Sequence, residues 1–326
     1  LENARFRGYP CKTNTVSNTA FRGFGGPQGM IVIETILEHI GHHLGKSLDD
    51  IRKVNYYGTK DRNVTPYGQT VTDNIIEELA DRLMSEIDYE GRKQAIEKFN
   101  LENQTLKKGI AAMPIKFGIS FNMPALNQAG ALVHVYTDGS VHLNHGGTEM
   151  GQGLFTKVAQ VVATVFQIDI DNIKISSTRT DKVPNTSATA ASAGSDLNGM
   201  AAYDAADRIK ARMTGVAARH FDVAEDEIEF RLNCVYAGNE SLSFAELAQM
   251  TWEARESLSA TGFYQTPDLT WDPITCTGSP FYYFSYGVSI SEVVIDTLTG
   301  ESRTLHTDIL QDCGKSLNPR VDYGQI

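Results

Sequence analysis

The chain has 326 residues, 41% of them hydrophobic, and 29 Lys and Arg against 40 Asp and Glu give it a formal charge of −11. That acidic balance, with no basic stripe, excludes a nucleic-acid surface, which needs a concentrated positive face. The length suffices for two packed cores, no apolar run approaches the roughly 18 residues that span a bilayer, and no signal peptide opens the sequence, so a membrane role is set aside and a cytoplasmic location is expected.

Helical texture comes first. FRGFGGPQGM (21–30) is a glycine-rich turn running into MIVIETILEHI, with Pro27 suited to a first helical turn and Gly41 just past the last. A second helical region is expected over 72–99 with a break near Gly91, and the polar stretch 100–108 after it lacks apolar periodicity. The boundary is therefore placed near residue 105: a mainly helical domain over 1–105 and an α+β domain over 106–326. GALVHVY and VHLNH flank Asp138-Gly139, a strong hairpin signal. GGTEMGQGL (146–154) leads into a helix over 152–166, a strand is expected over 167–178, and NTSATAASAGSDLNG (185–199) leads into a helix over 196–213. FYYFSYGVSISEVVID and SRTLHTDILQD surround Thr297 to Gly300 as a long hairpin. The chain starts on Leu1 and stops at Tyr323-Gly324-Gln325-Ile326, where another glycine turn opens, and reads as one piece of a longer polypeptide.

Three times, then, a polar glycine-rich loop precedes a helix. Unpaired N–H groups and the positive dipole end make a helix N-terminus an anion site, and glycine lets a ligand approach the backbone. Three such loops, carrying Arg22, Gln28, Gln152 and Ser192, point to one large, multiply charged ligand. In the first, Arg22 can donate a fork of hydrogen bonds and Phe24 can offer a flat face; the alternative is a tight turn with Phe21 and Phe24 in the core. In the second, Gln152 can aim its amide at a ligand beside Gly151 and Gly153; the alternative is a helix cap. In the third, the small residues around Ala191 and Ser192 leave room and supply donors.

Two further patterns carry no site. Gly45-Lys46-Ser47 resembles the end of a P-loop, but Gly41 is one residue too close and the preceding segment is helical where a strand is needed. His39, His42 and His43 sit at a helix C-terminus, where the dipole favours them, without an acidic or Cys partner at ligand spacing. The four cysteines, Cys11, Cys234, Cys276 and Cys313, contain no CxxC pair and read as reduced, buried thiols.

CKTNTVSNTAFRGFGGPQGM, FNMPALNQAGALVHVYTDGSVHLNHGGTEMGQGLFTK, VPNTSATAASAGSDLNG and TGFYQTPDL closely resemble the molybdopterin-binding portion of the molybdenum hydroxylases, on the xanthine dehydrogenase side of that family. Gly26 supports that side, since aldehyde oxidases usually carry Phe there. The resemblance implies an α+β fold of two molybdopterin-binding domains with mixed sheets and helices and cofactor loops at helix N-termini. It implies that Arg22 and Ala191 lie near the molybdenum without ligating it, and that Met150, Gly151, Gln152, Ser192 and Gln325 hold the molybdopterin. Phe24 and Phe121 are then the pair that sandwich a flat heterocycle. Asn122 lies against it, where the vertebrate pattern has Thr; Asn can both donate and accept.

The implied activity is purine hydroxylation, hypoxanthine and xanthine to urate, with water as oxygen source and a glutamate as base. Electrons would leave through [2Fe-2S] clusters and FAD of other domains or subunits to NAD, in a homodimeric assembly. The family's Gly-Glu-Pro motif does not occur in this sequence, so no catalytic residue is assigned here and the base is expected beyond Ile326. Two other readings stay open: an aldehyde oxidase or other N-heterocycle hydroxylase, and a non-catalytic fragment or assembly module with an incomplete cofactor pocket.

Overall fold

The structure is a computed structural model that describes residues 5, 7–18, 20–183 and 185–326. Positions 1–4, 6, 19 and 184, which fall within the expected first domain and two of the resemblance segments, lie outside the described residues. Helix α1 (Gly26–Leu44) leaves a left-handed Gly25 and ends on a left-handed Gly45, with His42 and His43 in its last turn. Gly41, expected as the stop, lies inside the helix. A Cβ on it would come 3.0 Å from the Lys46 carbonyl oxygen and 3.7 Å from Ile51, so it serves close packing against the next helix, α2 (Leu48–Asn55). Ser47 caps α2 by accepting the Asp50 N–H at 3.1 Å, which gives the Gly-Lys-Ser segment an ordinary structural role.

The helical region expected over 72–99 is two helices, α3 (Ile76–Glu86) and α4 (Tyr89–Glu102). They break at Ile87 and Asp88, where Asp88 turns left-handed and its carboxylate accepts the Gly91 N–H. β1 (Leu106–Ile119) follows at the expected change of texture. β2 (Gln128–Val135) and β3 (Val141–His145) form the hairpin around Asp138-Gly139, with Gly139 at φ +81°. α5 (Leu154–Phe166) ends on Gln167 at φ +56°, and one helical turn over Ile170–Asn172 leaves only β4 (Ile173–Ile175) of the strand expected over 167–178. α6 (Gly194–Phe221) runs past its expected end at Met213. β5 (Ile228–Arg231), β6 (Cys234–Ala237) and β7 (Glu240–Ser243) form a meander before α7 (Phe244–Glu253) and β8 (Ser259–Gln265). A short hairpin, β9 (Thr270–Asp272) and β10 (Thr277–Ser279), precedes the expected long one, β11 (Tyr283–Asp296) and β12 (Ser302–Gln311); α8 (Pro319–Tyr323) closes the chain.

The architecture is α+β, in two compact units. One holds the residues up to Ile119 together with Thr270–Gly314; the other holds Ser120–Leu269 and Lys315–Ile326. The boundary expected near residue 105 marks the change from helix to strand, whereas the compact units divide at Ile119. β1 pairs antiparallel with β11 along its whole length, from Leu106 opposite Asp296 to Ile119 opposite Tyr283, and this draws 270–314 back to the first unit. There α3 and α4 cover the β1-β11-β12 sheet, burying Leu79, Leu83, Tyr89, Tyr286 and Ile290. In the second unit the sheet order is β4-β3-β2-β8, and α5 and α6 pack on it around Leu143, Val158, Ile209 and Met213. The run Ala201, Ala202, Ala205 and Ala206 lets α6 lie on β8, where a Cβ on Gly262 would come 2.0 Å from the Ala201 carbonyl oxygen. No helix among the described residues is long and apolar enough to cross a membrane.

Candidate cofactor site

In the second unit the site grows from the end of β3. His145 is 1% exposed and its Nδ1 accepts the Gly147 N–H at 3.1 Å, which leaves the proton of the neutral ring on Nε2. Burial pushes its pKa down to about 4, so the ring is neutral near pH 7. Gly146 and Gly147 then pass where no side chain fits: a Cβ would lie 2.1 Å from Thr186 Cγ2 on the first and 2.5 Å from Leu154 on the second. Thr148 donates its N–H to Thr189 Oγ1 at 2.8 Å, so the loop over 146–153 is tied to the loop over 185–193. Two of the three glycine-rich loops are thereby brought together.

The first of these two loops is closed on itself. Glu149 Oε1 accepts the N–H groups of Gly151 (2.8 Å) and Gly153 (3.0 Å), and Oε2 accepts that of Phe155 (3.0 Å) in the first turn of α5. Burial works to raise the Glu149 pKa, and the Phe155, Gly151 and Gly153 amides overcome it and hold the carboxyl below its ordinary range. Gln152, expected to aim its amide at a ligand, braces the loop: Oε1 accepts the Met150 N–H at 2.5 Å and Nε2 donates to the Thr148 carbonyl at 2.8 Å. The positive end of α5 is thus occupied by the chain's own carboxylate. Among the described residues, the Gln152 and Leu154 amides remain unpaired. Gly151, at φ +97°, faces open space, and Met150 is 67% exposed.

The second loop is open. Ala191 and Ser192 both take left-handed backbone, φ +56° and +57°, a conformation that costs an L-residue about 1–2 kcal/mol. The 28-residue α6 that follows has Ala193 as its N-cap with no side-chain cap, and the amides of Gly194 and Ser195 have no partner among the described residues. Asn198, 4% exposed, donates Nδ2 to the Gly194 carbonyl at 2.8 Å. Its Oδ1 and His145 Nε2 are buried polar atoms without a partner, a state that costs about 1–3 kcal/mol each if left unrelieved. Gln325 follows α8, which docks at the start of α5: Asp322 pairs with Lys157 at 3.1 Å, and a Cβ on Gly153 would come 2.5 Å from Val321. Phe121 and Asn122 sit on a separately braced loop, where buried Asn127 accepts the Phe121 N–H at 2.8 Å and donates to the Phe121 carbonyl at 2.9 Å.

The first unit carries the remaining loop. Gly23, Phe24 and Gly25 are three consecutive left-handed residues, pinned by the Phe24 N–H on the Phe21 carbonyl (2.7 Å) and the Gly26 N–H on that of Gly23 (3.0 Å). This turn throws both rings outward: Phe21 is 70% and Phe24 84% exposed, which overturns the core reading of the two. Arg22 is exposed, and α1 begins with neither a side-chain cap nor an acid in its first turn. Of the cysteines, Cys11, Cys276 and Cys313 are exposed rather than buried, since they lie in an extended stretch, a hairpin turn and the segment after β12; Cys234 is half-buried. No group of three or more His, Cys, Asp or Glu among the described residues is placed to hold a metal ion.

Sequence reasoning missed His145, Asn198 and Asn127. A polar residue at the end of a strand, in the second turn of a helix or just before a strand carries no local mark of burial.

Residues 82–326 match one molybdopterin cofactor-binding domain model, and residues 1–56 match another. The chain belongs to the molybdopterin cofactor-binding domain family. Over its whole length this molybdopterin-binding chain is 46% identical to xanthine dehydrogenase of Dictyostelium discoideum, 47% to that of Oryza sativa subsp. japonica and 45% to xanthine dehydrogenase/oxidase of Gallus gallus. It spans 23, 22 and 22% of those relatives. Among solved structures, CO dehydrogenase from Oligotropha carboxidovorans matches 93% of this chain and 39% of its own with a TM-score of 0.78 at 22% identity. Quinoline 2-oxidoreductase from Pseudomonas putida 86 matches 94% and 40% with a TM-score of 0.75, also at 22% identity. These two establish the fold alone. Molybdopterin fits the residues present: the α6 amides are uncapped, Gly151 leaves its approach open, and a pterin's donors and acceptors suit the free amides beside it.

Proposed function

We propose that this chain is the cofactor-holding portion of a molybdenum-dependent hydroxylase acting on purines, hypoxanthine and xanthine to urate, with water as oxygen source. The observation that carries the reading is 44–47% identity to xanthine dehydrogenases over the whole length of the chain. Bound molybdopterin with molybdenum supplies oxygen transfer and accepts two electrons. The chain's own residues bind and orient. The uncapped α6 start, with Ala191 and Ser192, takes anionic oxygens of the cofactor, and Met150, Gly151 and the Gln152 backbone line its pterin, with Gln325 beside them. Gln152 does this by shaping the loop, since its side-chain amide is engaged within it. Arg22 donates to oxygen near the metal, and Phe24 and Phe121 hold the heterocycle. Asn122, exposed on the Asn127-braced loop, meets the polar edge of the substrate. The proton-accepting glutamate, the [2Fe-2S] clusters, FAD, the NAD acceptor, the homodimer and a cytoplasmic setting belong to the same proposal and rest on the resemblance.

The test is Phe24→Ala in the full-length protein, assayed on hypoxanthine, a small aliphatic aldehyde and nicotinate. Because the ring is 84% exposed, stability should move by less than about 0.5 kcal/mol. kcat/KM for hypoxanthine should fall, the lost stacking being worth about 0.5–1.5 kcal/mol beyond area, and the aldehyde should lose less. Equal losses on all three substrates would return Phe24 to the scaffold, and wild-type preference for the aldehyde would move the chain to the aldehyde oxidases.

A further inference from the structure

His145 and Asn198 lie outside every role assigned above, yet both are buried and both carry a polar atom without a partner, Nε2 in one and Oδ1 in the other. The two atoms are complementary. Nδ1 of His145 is taken by the Gly147 N–H, so Nε2 bears the proton and is a donor. Nδ2 of Asn198 is taken by the Gly194 carbonyl, so its remaining atom is an acceptor. Both side chains also abut one glycine: the His145 ring bonds the Gly147 amide, and a Cβ on Gly147 would come 2.8 Å from Asn198 Nδ2 and 3.0 Å from its Cγ. One residue stands at the root of the loop over 146–153 and the other in the second turn of α6, at the foot of the loop over 185–193.

We propose that His145 and Asn198 form a buried latch, Nε2–H to Oδ1 directly or through one water, that holds the 146–153 loop against the uncapped start of α6 and so sets the spacing of the two cofactor loops. They are positioning residues and touch neither cofactor nor substrate. The latch works beside the Thr148–Thr189 bond at the outer edge of the same contact and gives it an inner anchor. It rests on the cofactor reading above.

The experiment is a double-mutant cycle in the full-length holoprotein, read as the rate at which molybdenum and pterin are lost during dialysis, with thermal stability of the apo form measured alongside. Wild type is measured first: absence of molybdopterin there sinks the cofactor reading itself, whatever the variants do. With the cofactor present, His145→Leu and Asn198→Leu should each speed its loss by about tenfold, and the double variant by about the same tenfold, because either change alone opens the latch. His145→Gln, which keeps an N–H donor, should stay within about twofold of wild type. Leucine variants that lose apo stability but keep the cofactor as wild type does, or a double variant whose effect is the product of the singles, would overturn the latch. Should the leucine variants not fold, a crystal structure of the wild-type holoprotein decides the matter. Nε2 and Oδ1 should lie within about 3.2 Å, or both within that distance of one ordered water, and Nε2 bonded to the cofactor or to another group would refute it.

Discussion

The loops before α5 and α6 both lead into a helix, but residues 146–153 carry four glycines and a glutamate that takes up the helix-start amides, whereas residues 185–193 carry no glycine and no acid and leave α6 without a side-chain cap, Asp196 standing in its first turn. Before α5, Glu149 reaches back to accept three backbone N–H groups, and the awkward backbone falls on Gly151 and Gly153, which tolerate it. Before α6 no side chain caps the helix, and the left-handed backbone falls on Ala191 and Ser192, which do not. A polar loop of small residues before a helix therefore says that the backbone can be approached; whether the first amides are available depends on whether a nearby carboxylate already accepts them, as Glu149 does before α5. The open loop has the features of a binding element held in wait, and the closed one those of a wall against which the ligand is placed.

The largest effect that can break this contrast is acidification, through the root of the closed loop. His145 titrates near 4 in the folded protein against an ordinary 6.5, so between those values the unfolded chain binds a proton that the folded one refuses. Its contribution is complete above 6.5 and is lost as the pH falls toward 4, an effect of order 3 kcal/mol driven by burial, against which the Asn198 side chain and the field of Glu149 work. Urea titrations at a series of pH values should show this slope in wild type and not in His145→Gln.

Glu149 works in a lower window. Its folded pKa lies below the ordinary 4.5, so its contribution is present above that value and is lost as the pH falls through the folded one. Glu149→Ala should cost about 1–2 kcal/mol at pH 7, the price of an unsatisfied N-terminus, and the difference from wild type should shrink as the pH falls below 4.5. A Glu149→Ala protein as stable as wild type at pH 7 would mean that the α5 start is no more closed than that of α6.

The smallest effects sharpen the comparison through the backbone. Ala191→Gly should stabilise the apo protein by about 0.5–1 kcal/mol by relieving φ +56°, whereas Gly151→Ala should destabilise it by about 1–2 kcal/mol although its Cβ meets nothing. Calorimetry on both variants gives the signs. The same sign for both would show that strain is not divided between the loops as described.

Much of this contrast could not be read from the sequence. The loops were legible because glycine, small and polar residues interrupt helical periodicity, and α5, the β2–β3 turn and the β11–β12 hairpin were legible from pattern alone. The helix cap offered as the alternative for the 146–153 loop is what the structure shows; that Glu149 and Gln152 make it was not legible, because it depends on a loop folding over itself through two left-handed glycines. Gly41 shows the reverse error, a helix-stopping residue kept inside α1 by the approach of Ile51. The unit boundary was hidden for another reason: β1 is completed by β11, whose first residue follows its last by more than half the chain, and no local signal announces a partner that distant. Phe21 and Phe24 looked equally able to fill a core, and only the left-handed turn decided that both face outward.

The central claim is that the open α6 start and the wall beside it receive molybdopterin. The direct measurement is molybdenum and pterin content per protomer of the purified full-length protein, by metal analysis and pterin fluorescence, together with turnover of hypoxanthine. One molybdenum and one pterin per protomer with hydroxylation of the purine is the expected result. A folded protein that carries neither after expression in a host competent to make the cofactor would contradict the claim and leave the chain as an assembly module.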